Sequence, residues 1–464
     1  MSSVKYNRLL LTELPVVTSD FNTSSTNATE VQKIQASDRA AGDNFGRSVS
    51  INSVGNTMII GSYLDLTVGA NAGSSYIFTK NASDIWSERQ KLQASDIQAG
   101  DYFGLSVTMN AIGNVAIVGA TREDTGGSNA GAAYIFTQNS SDIWNERQKL
   151  QASDRLAYDE FGFSVAINSL GDTAIVGSVK ADAGGFNSGA TYIFTKNTSD
   201  VWSERQKLLS SDIQADDYFG RSVAINNPGN IAVVGAPRAD AGGSNSGAAY
   251  IFTKNTSDIW SERQKLLSSD LQAGDSFGRS VDINDAGNIV IIGAHLEDGV
   301  TVATSDAGAA YIFAKNSSDV WYQQQKIRSS DLQVGDVFGQ SVAMNSLGTI
   351  AVIGAERENT GGSNAGAAYV FTKNSSDIWS ERQKLLSSDI QAGDFFGRDV
   401  IINSSGNIIT ITAVNEDTGG ADAGAAYIFS GNVSDTPIGG VRYDTVPLYN
   451  VFRMVSDTIL KIKQ

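Results

Sequence analysis

The chain has 464 residues, a formal net charge of −16 and a sequence pI near 4.5, and it contains no cysteine. An acidic surface repels nucleic acid and anionic lipid, and the lack of thiols excludes disulfides, zinc–thiolate sites and cysteine nucleophiles. No stretch approaches the ~20 apolar residues that a membrane span needs.

Residues 1–28 form an N-terminal extension in which Lys5 and Arg8 precede Leu9, Leu10 and Leu11. Thr12 and Glu13 break that run before it reaches the length of a signal-peptide core, so no cleavable Sec signal is read. A repeat then fills residues 29–430. Its marker is a Phe-Gly pair beginning at Phe45, Phe103, Phe161, Phe219, Phe277, Phe338 and Phe396, spaced by 58 residues throughout except for one interval of 61. A period of this length points to a propeller before a solenoid.

The fourth copy shows the unit. Phe219 to Asn226 alternates apolar and polar residues and predicts a strand. Asn227-Pro-Gly-Asn230 is a turn, and Ile231 to Ala236 is apolar enough for a strand buried on both faces. A glycine-rich loop, Asp240 to Asn245, leads to a third strand, Ala248 to Thr253. After a turn at Asn255–Asp258, the more polar Trp260 to Leu267 predicts an outermost strand. Four antiparallel strands per unit make a propeller blade. The seventh copy stops after its third strand, Ala425 to Phe429, while Glu30 to Ser37 aligns with the outer-strand segment Glu88 to Ser95. The expected fold is therefore all-β: a seven-bladed β-propeller of four-stranded antiparallel blades, its ring closed by the N-terminal strand completing blade seven. Closure removes the exposed edge between first and last blades. Residues 431–464 remain as a C-terminal tail with a candidate docking helix.

The pattern Phe-Gly-x-Ser-Val-Ala, then Val233-Val-Gly-Ala-Pro237, then Ala-Gly-x-x-Tyr-Ile-Phe resembles the FG-GAP repeat of integrin α-subunit propellers and their bacterial, algal and viral relatives. The resemblance implies a seven-bladed propeller used for recognition or adhesion, usually outside the cell. Some members of that family bind calcium through an Asp-rich loop between the first and second strands. Here the corresponding turns, such as Asn52 to Asn56 and Asn110 to Asn114, are short and nearly free of carboxylates, whereas calcium takes six to eight oxygen ligands. No calcium site, and no other cofactor, is carried over.

The loops from outer to next inner strand and from second to third strand are expected to share one face, and both sets are acidic. That face suits weak cation binding or a basic partner, but recurrence in every copy suits turn geometry better. Departures from symmetry are more informative. They select Asp65 and Asn71 in the blade-one loop, and His295, Asp298 and Asp306 in the longer blade-five loop, as candidate ligand-facing residues. The single histidine and the absence of cysteine leave no catalytic triad legible, so no enzyme is expected. The six tryptophans at one blade position are read as packing against the neighbouring blade, and the Asn-x-Ser/Thr triplets of the third-to-fourth-strand hairpins as turn chemistry. In the tails, Leu10 and Leu14 and the heptad-spaced Leu448, Phe452, Val455, Ile459 and Ile462 are candidate assembly contacts. The resulting expectation is a non-enzymatic recognition or structural propeller, exposed on an extracellular assembly such as a virus or phage particle as a surface or tail-fibre protein. The alternative is a soluble or cell-surface adhesion or carbohydrate-binding propeller, with a glycan or surface receptor as partner.

Overall fold

Each Phe-Gly pair opens a blade. In the computed structural model, which describes residues 27–298 and 305–433, seven four-stranded antiparallel sheets follow one another along the chain. Blade one consists of Phe45–Ile51, Thr57–Ser62, Ser74–Lys80 and Trp86–Leu92, from inner to outer strand. Burial follows the sequence pattern. The second strand Ile231–Ala236 is buried throughout, while the outer strand Trp260–Leu266 alternates between a buried side and a solvent side. Neighbouring inner strands contact one another around a closed ring, from blade one through blade seven and back. The tail candidates Leu10, Leu14, Leu448, Phe452, Val455, Ile459 and Ile462 lie outside the described residues.

Blade seven takes three strands from the end of the repeat region, Phe396–Ile402, Ile408–Ala413 and Ala425–Ser430, and its fourth from the start, Thr29–Ile34. The closing strand pairs antiparallel with the third, placing Ile34 opposite Ala426 and Lys33 opposite Tyr427.

The hydrophobic clusters lie between blades rather than within them. One joins Ile59, Ile77 and Leu92 of blade one to Phe103, Tyr134, Phe136 and Trp144 of blade two. Phe103 meets Tyr134 and Phe136 edge-on, with ring centroids 5.7 and 6.0 Å apart, and the same trio recurs in every blade. The six tryptophans are buried in these joints. A glutamine clasp links the outer strands: the Gln32 side chain donates to the Trp86 carbonyl and accepts from the Trp86 N–H, both at 2.8 Å. At the closing strand alanine replaces tryptophan, yet Gln383 clasps the backbone of Ala28 in the same way at 2.9 Å. The clasp reads backbone, so it survives the loss of the ring.

One expectation is corrected. The inner strand of blade four is Ser222–Ile225, not Phe219 to Asn226. Phe219 instead forms a parallel bridge with Gly189 of the preceding blade. Gly220, at φ +89°, turns the chain at that joint while its N–H still bonds the Gly235 carbonyl of its own blade, so the Phe-Gly pair ties the seam to its own sheet. The hairpin asparagines act as turn caps: Asn81 Oδ1 accepts the N–H groups of Ser83 and Ile85, and Asn139, Asn197, Asn255, Asn316 and Asn374 repeat this.

Candidate functional site

The two acidic loop sets do share a face, and they are bonded to each other. Gly100, Tyr102 and Phe103 donate their N–H groups to the carbonyls of Ala70, Asn71 and Ala72. The first aspartate of each outer-to-inner connection accepts from a tyrosine hydroxyl and a lysine: Asp96 from Tyr134 and Lys149, both at 2.8 Å, with equivalents in all seven blades. The second aspartate accepts the N–H three residues earlier, as Asp275 does from Gln272. Burial pushes Asp101, Asp275, Asp336 and Asp394 up to about 6. At the first-to-second-strand turns, where calcium loops would stand, Asn52 Oδ1 instead accepts three N–H groups, those of Gly55, Asn56 and Thr57.

Blades two and three offer an internal comparison. Lys149 binds both Asp96 and the buried Glu123, whereas Lys207 binds only the half-exposed Asp154, because Ala181 occupies the position of Glu123. Lys149→Met therefore leaves the buried Glu123 carboxylate without its cation, held among the described residues only by Thr125 and Gln151, and is expected to cost about 3 kcal/mol. Lys207→Met removes a surface pair and is expected to cost less than ~1 kcal/mol. Urea unfolding of the two variants checks the difference, and equal costs would show that Glu123 does not depend on its lysine.

The predicted ligand-facing residues separate in this geometry. Asp65 points inward: its carboxylate accepts from the Tyr76 hydroxyl at 2.7 Å and from Lys91 at 2.9 Å, and the residue is 1% exposed. Asn71 and Asp306 hold equivalent left-handed positions at φ 56° and 52°. Asp298 accepts the N–H of Asp306 at 3.0 Å, the same clasp that Asp124 makes with Asn129 and Asp240 with Asn245. Asp298 and Asp306 thus come together as a turn. Of the five, His295 lines a cavity.

That cavity, of ≈ 580 Å³, opens between blades four and five beside the central channel, and its lining includes Tyr218, Arg221, Arg238, Arg279 and His295. The His295 Nδ1 is buried and has no hydrogen-bond partner. Burial, reinforced by Arg279, Arg357 and Arg398, holds the imidazole well below its ordinary range. A group lowered in the folded state contributes stability that is complete above the unfolded value of ~6.5 and is lost as pH falls below it. The ring is expected to stay neutral as pH falls through the ordinary imidazole range around ~6.5. As the only histidine of the chain, it gives a single ring resonance whose shift should be flat over that interval. A midpoint near 6.5 would place it in solvent.

Sequence reading missed the arginines. Arg47, Arg221, Arg279 and Arg398 all occupy the position after Phe-Gly and line the channel, with Leu105, Phe163 and Gln340 at that position in the other three blades. The signal was present in the recurring Phe-Gly-Arg, but within an alternating strand an arginine reads as a solvent-facing residue. In a propeller the inner strand faces the channel instead.

A family model described as FG-GAP repeat matches residues 28–78, 86–136, 144–194, 202–252, 260–313, 321–371 and 379–429. Each match begins at the tryptophan position of an outer strand, Ala28 in the first, and ends in the third strand of the next blade. It therefore spans the seam between blades. A comparison with curated proteins finds no match.

Proposed function

We propose that this chain, which belongs to the FG-GAP repeat family, is a non-enzymatic recognition propeller that presents the loop face around its channel mouth to a partner outside the cell. FG-GAP repeats are typical of extracellular proteins, and their propellers are typically non-catalytic. Among the described residues no helix is long and apolar enough to cross a membrane. The observation that carries the reading is a division of labour on the loop face. The aspartates that recur in every outer-to-inner connection are engaged by lysine, tyrosine and backbone donors. The positions that differ between blades, Tyr63, Thr121, Val179, Pro237, His295, Glu356 and Val414, follow the second strands at the channel side. Five of them line cavities beside the channel, Pro237 and His295 in one and Tyr63, Glu356 and Val414 in another, and a rigid ring with variable residues around such cavities suits selective binding better than catalysis. Labelled protein applied to arrays of neutral and acidic glycans, and to intact cell surfaces, tests this. Saturable binding to either is expected, and silence on both overturns the reading.

The finer version places the propeller in a larger extracellular assembly, a virus or phage particle among them. It is supported by the apolar Leu10 and Leu14 and by the heptad stripe from Leu448 to Ile462, which make the tails the attachment. Light scattering of the full chain and of a Phe452→Asp, Ile459→Asp variant tests it. Assembly of the first and a monomeric second are expected. Two monomers would remove the assembly role.

A further inference from the structure

The cavity between blades four and five is basic on a protein whose net charge is −16. Its guanidinium groups are held in place without being neutralised. Arg221 lies over the Phe163 ring at 4.4 Å, and Arg238 lies over the Tyr218 ring at 4.1 Å. Arg279 donates from Nε to the uncharged Gln340 Oε1 at 3.1 Å. Among the described residues the arginine ion pairs are those of Arg328 with Glu297 and Arg398 with Glu356, so none of these three has a carboxylate partner. Burial and repulsion by Arg398 and Arg47 push Arg279 down to about 9, which leaves it charged at neutral pH. The unpartnered Nδ1 of His295 lies against the same cavity.

The comparable cavity near blades six and seven shows that this is not a general property of the ring. There the volume is ≈ 230 Å³, and Glu356 answers Arg398. At the blade-five position equivalent to Glu356 the residue is His295, and at blade four it is Pro237. Glu356 is the single carboxylate among the seven equivalent positions, so the cavity between blades four and five keeps its arginines unanswered, and it is the wider of the two.

We propose that this cavity binds a small organic anion, a sugar-sized molecule bearing a carboxylate or a sulfate group. Partly buried guanidinium groups without counter-charges are costly, and an oxyanion answers them through paired N–H···O bonds that the planar fork is shaped to make. The volume lies within the ~300–1,000 Å³ range of small-ligand pockets and is several times what a lone oxyanion fills. Pro237, Leu296 and the Tyr218 ring supply apolar wall for an organic body. The acidic surroundings repel an extended polyanion across its whole length, whereas a single anionic group needs only the local field. The inference rests on the recognition reading only for the choice of an external ligand.

The ring resonance of His295 is the reporter, since no other histidine overlaps it. The full chain is titrated with glucuronate, a glucose sulfate ester, neutral glucose and sodium sulfate, each to ~10 mM. Saturable shifts with both acidic sugars and none with glucose are expected. Arg279→Gln and Arg238→Gln should each weaken the acidic sugars by about tenfold or more, with the melting temperature unchanged as the control for folding. Sulfate binding as tightly as either sugar would overturn the organic ligand in favour of a free inorganic anion. No saturable shift with any probe would overturn the site altogether. Because the glycan and cell-surface assays read the whole loop face, their outcome stands independently of this one.

Discussion

Gly397→Ala is expected to lower the unfolding free energy by about 3–5 kcal/mol, while Gly393→Ala, four residues earlier in the same connection, costs only about 1–2 kcal/mol. Both glycines sit in backbone that disfavours a side chain, at φ +91° and +90°. They differ in what a Cβ would meet. At Gly393 nothing lies within 4 Å, so the cost is conformational alone. At Gly397 the added carbon would fall 2.3 Å from the carbonyl oxygen of Ala367 and 3.2 Å from the N atom of Ala355, both in the preceding blade. Neither atom can move without disturbing a sheet. The close approach is reciprocal, because a Cβ on Gly354 of blade six would lie 2.1 Å from the Gly397 carbonyl oxygen. The glycines of Phe-Gly and Gly-Ala are therefore two sides of one joint, where the backbones of adjacent blades touch. Urea unfolding followed by tryptophan fluorescence measures both variants. Equal costs would mean that backbone conformation, not blade contact, accounts for the glycine.

This joint also explains how much could be read from the chain. The fold was legible because a blade cannot bury its own hydrophobic faces. The residues that join it to its neighbour must then recur in every copy, and Phe103, Tyr134, Phe136 and Trp144 recur with the spacing that the ring imposes. Closure was legible for the same reason, since Glu30 to Ser37 repeats the outer-strand pattern at the wrong end of the sequence. The extent of the inner strand was less legible, because Phe219 pairs across the seam and sequence alternation does not distinguish the two partners. The site was the least legible. Asp65 looked like a departure from symmetry, but it serves blade one as Glu123 serves blade two, holding the blade's lysine from a buried position. A change in side-chain length had masked a conserved role. Arg279 had the opposite fate: it follows the repeat, and only its placement in the channel beside His295 makes it distinctive.

Removing the closing strand tests the ring as a whole. Deletion of residues 1–34 is expected to cost about 5 kcal/mol or more and to lower the melting midpoint by ~10 °C or more. Several independent contacts leave together. Ile34, 4% exposed, vacates the cluster that contains Tyr76 and Trp86. Lys33 abandons Asp389 at 2.6 Å and the buried Glu416 at 2.7 Å. Glu30 no longer accepts from Ser388, and Gln383 loses the Ala28 backbone. The third strand of blade seven, Ala425–Ser430, then becomes an open edge, a template for pairing with another chain. The truncated protein should accordingly self-associate, and light scattering would detect it. A synthetic peptide covering residues 27–37 should add back as a strand, restoring both the midpoint and the monodispersity of the truncated chain. Rescue would show that the contacts of the closing strand, and not its covalent attachment, hold the seventh blade. A truncated chain that melts like the full one would show that the seventh blade holds without its fourth strand.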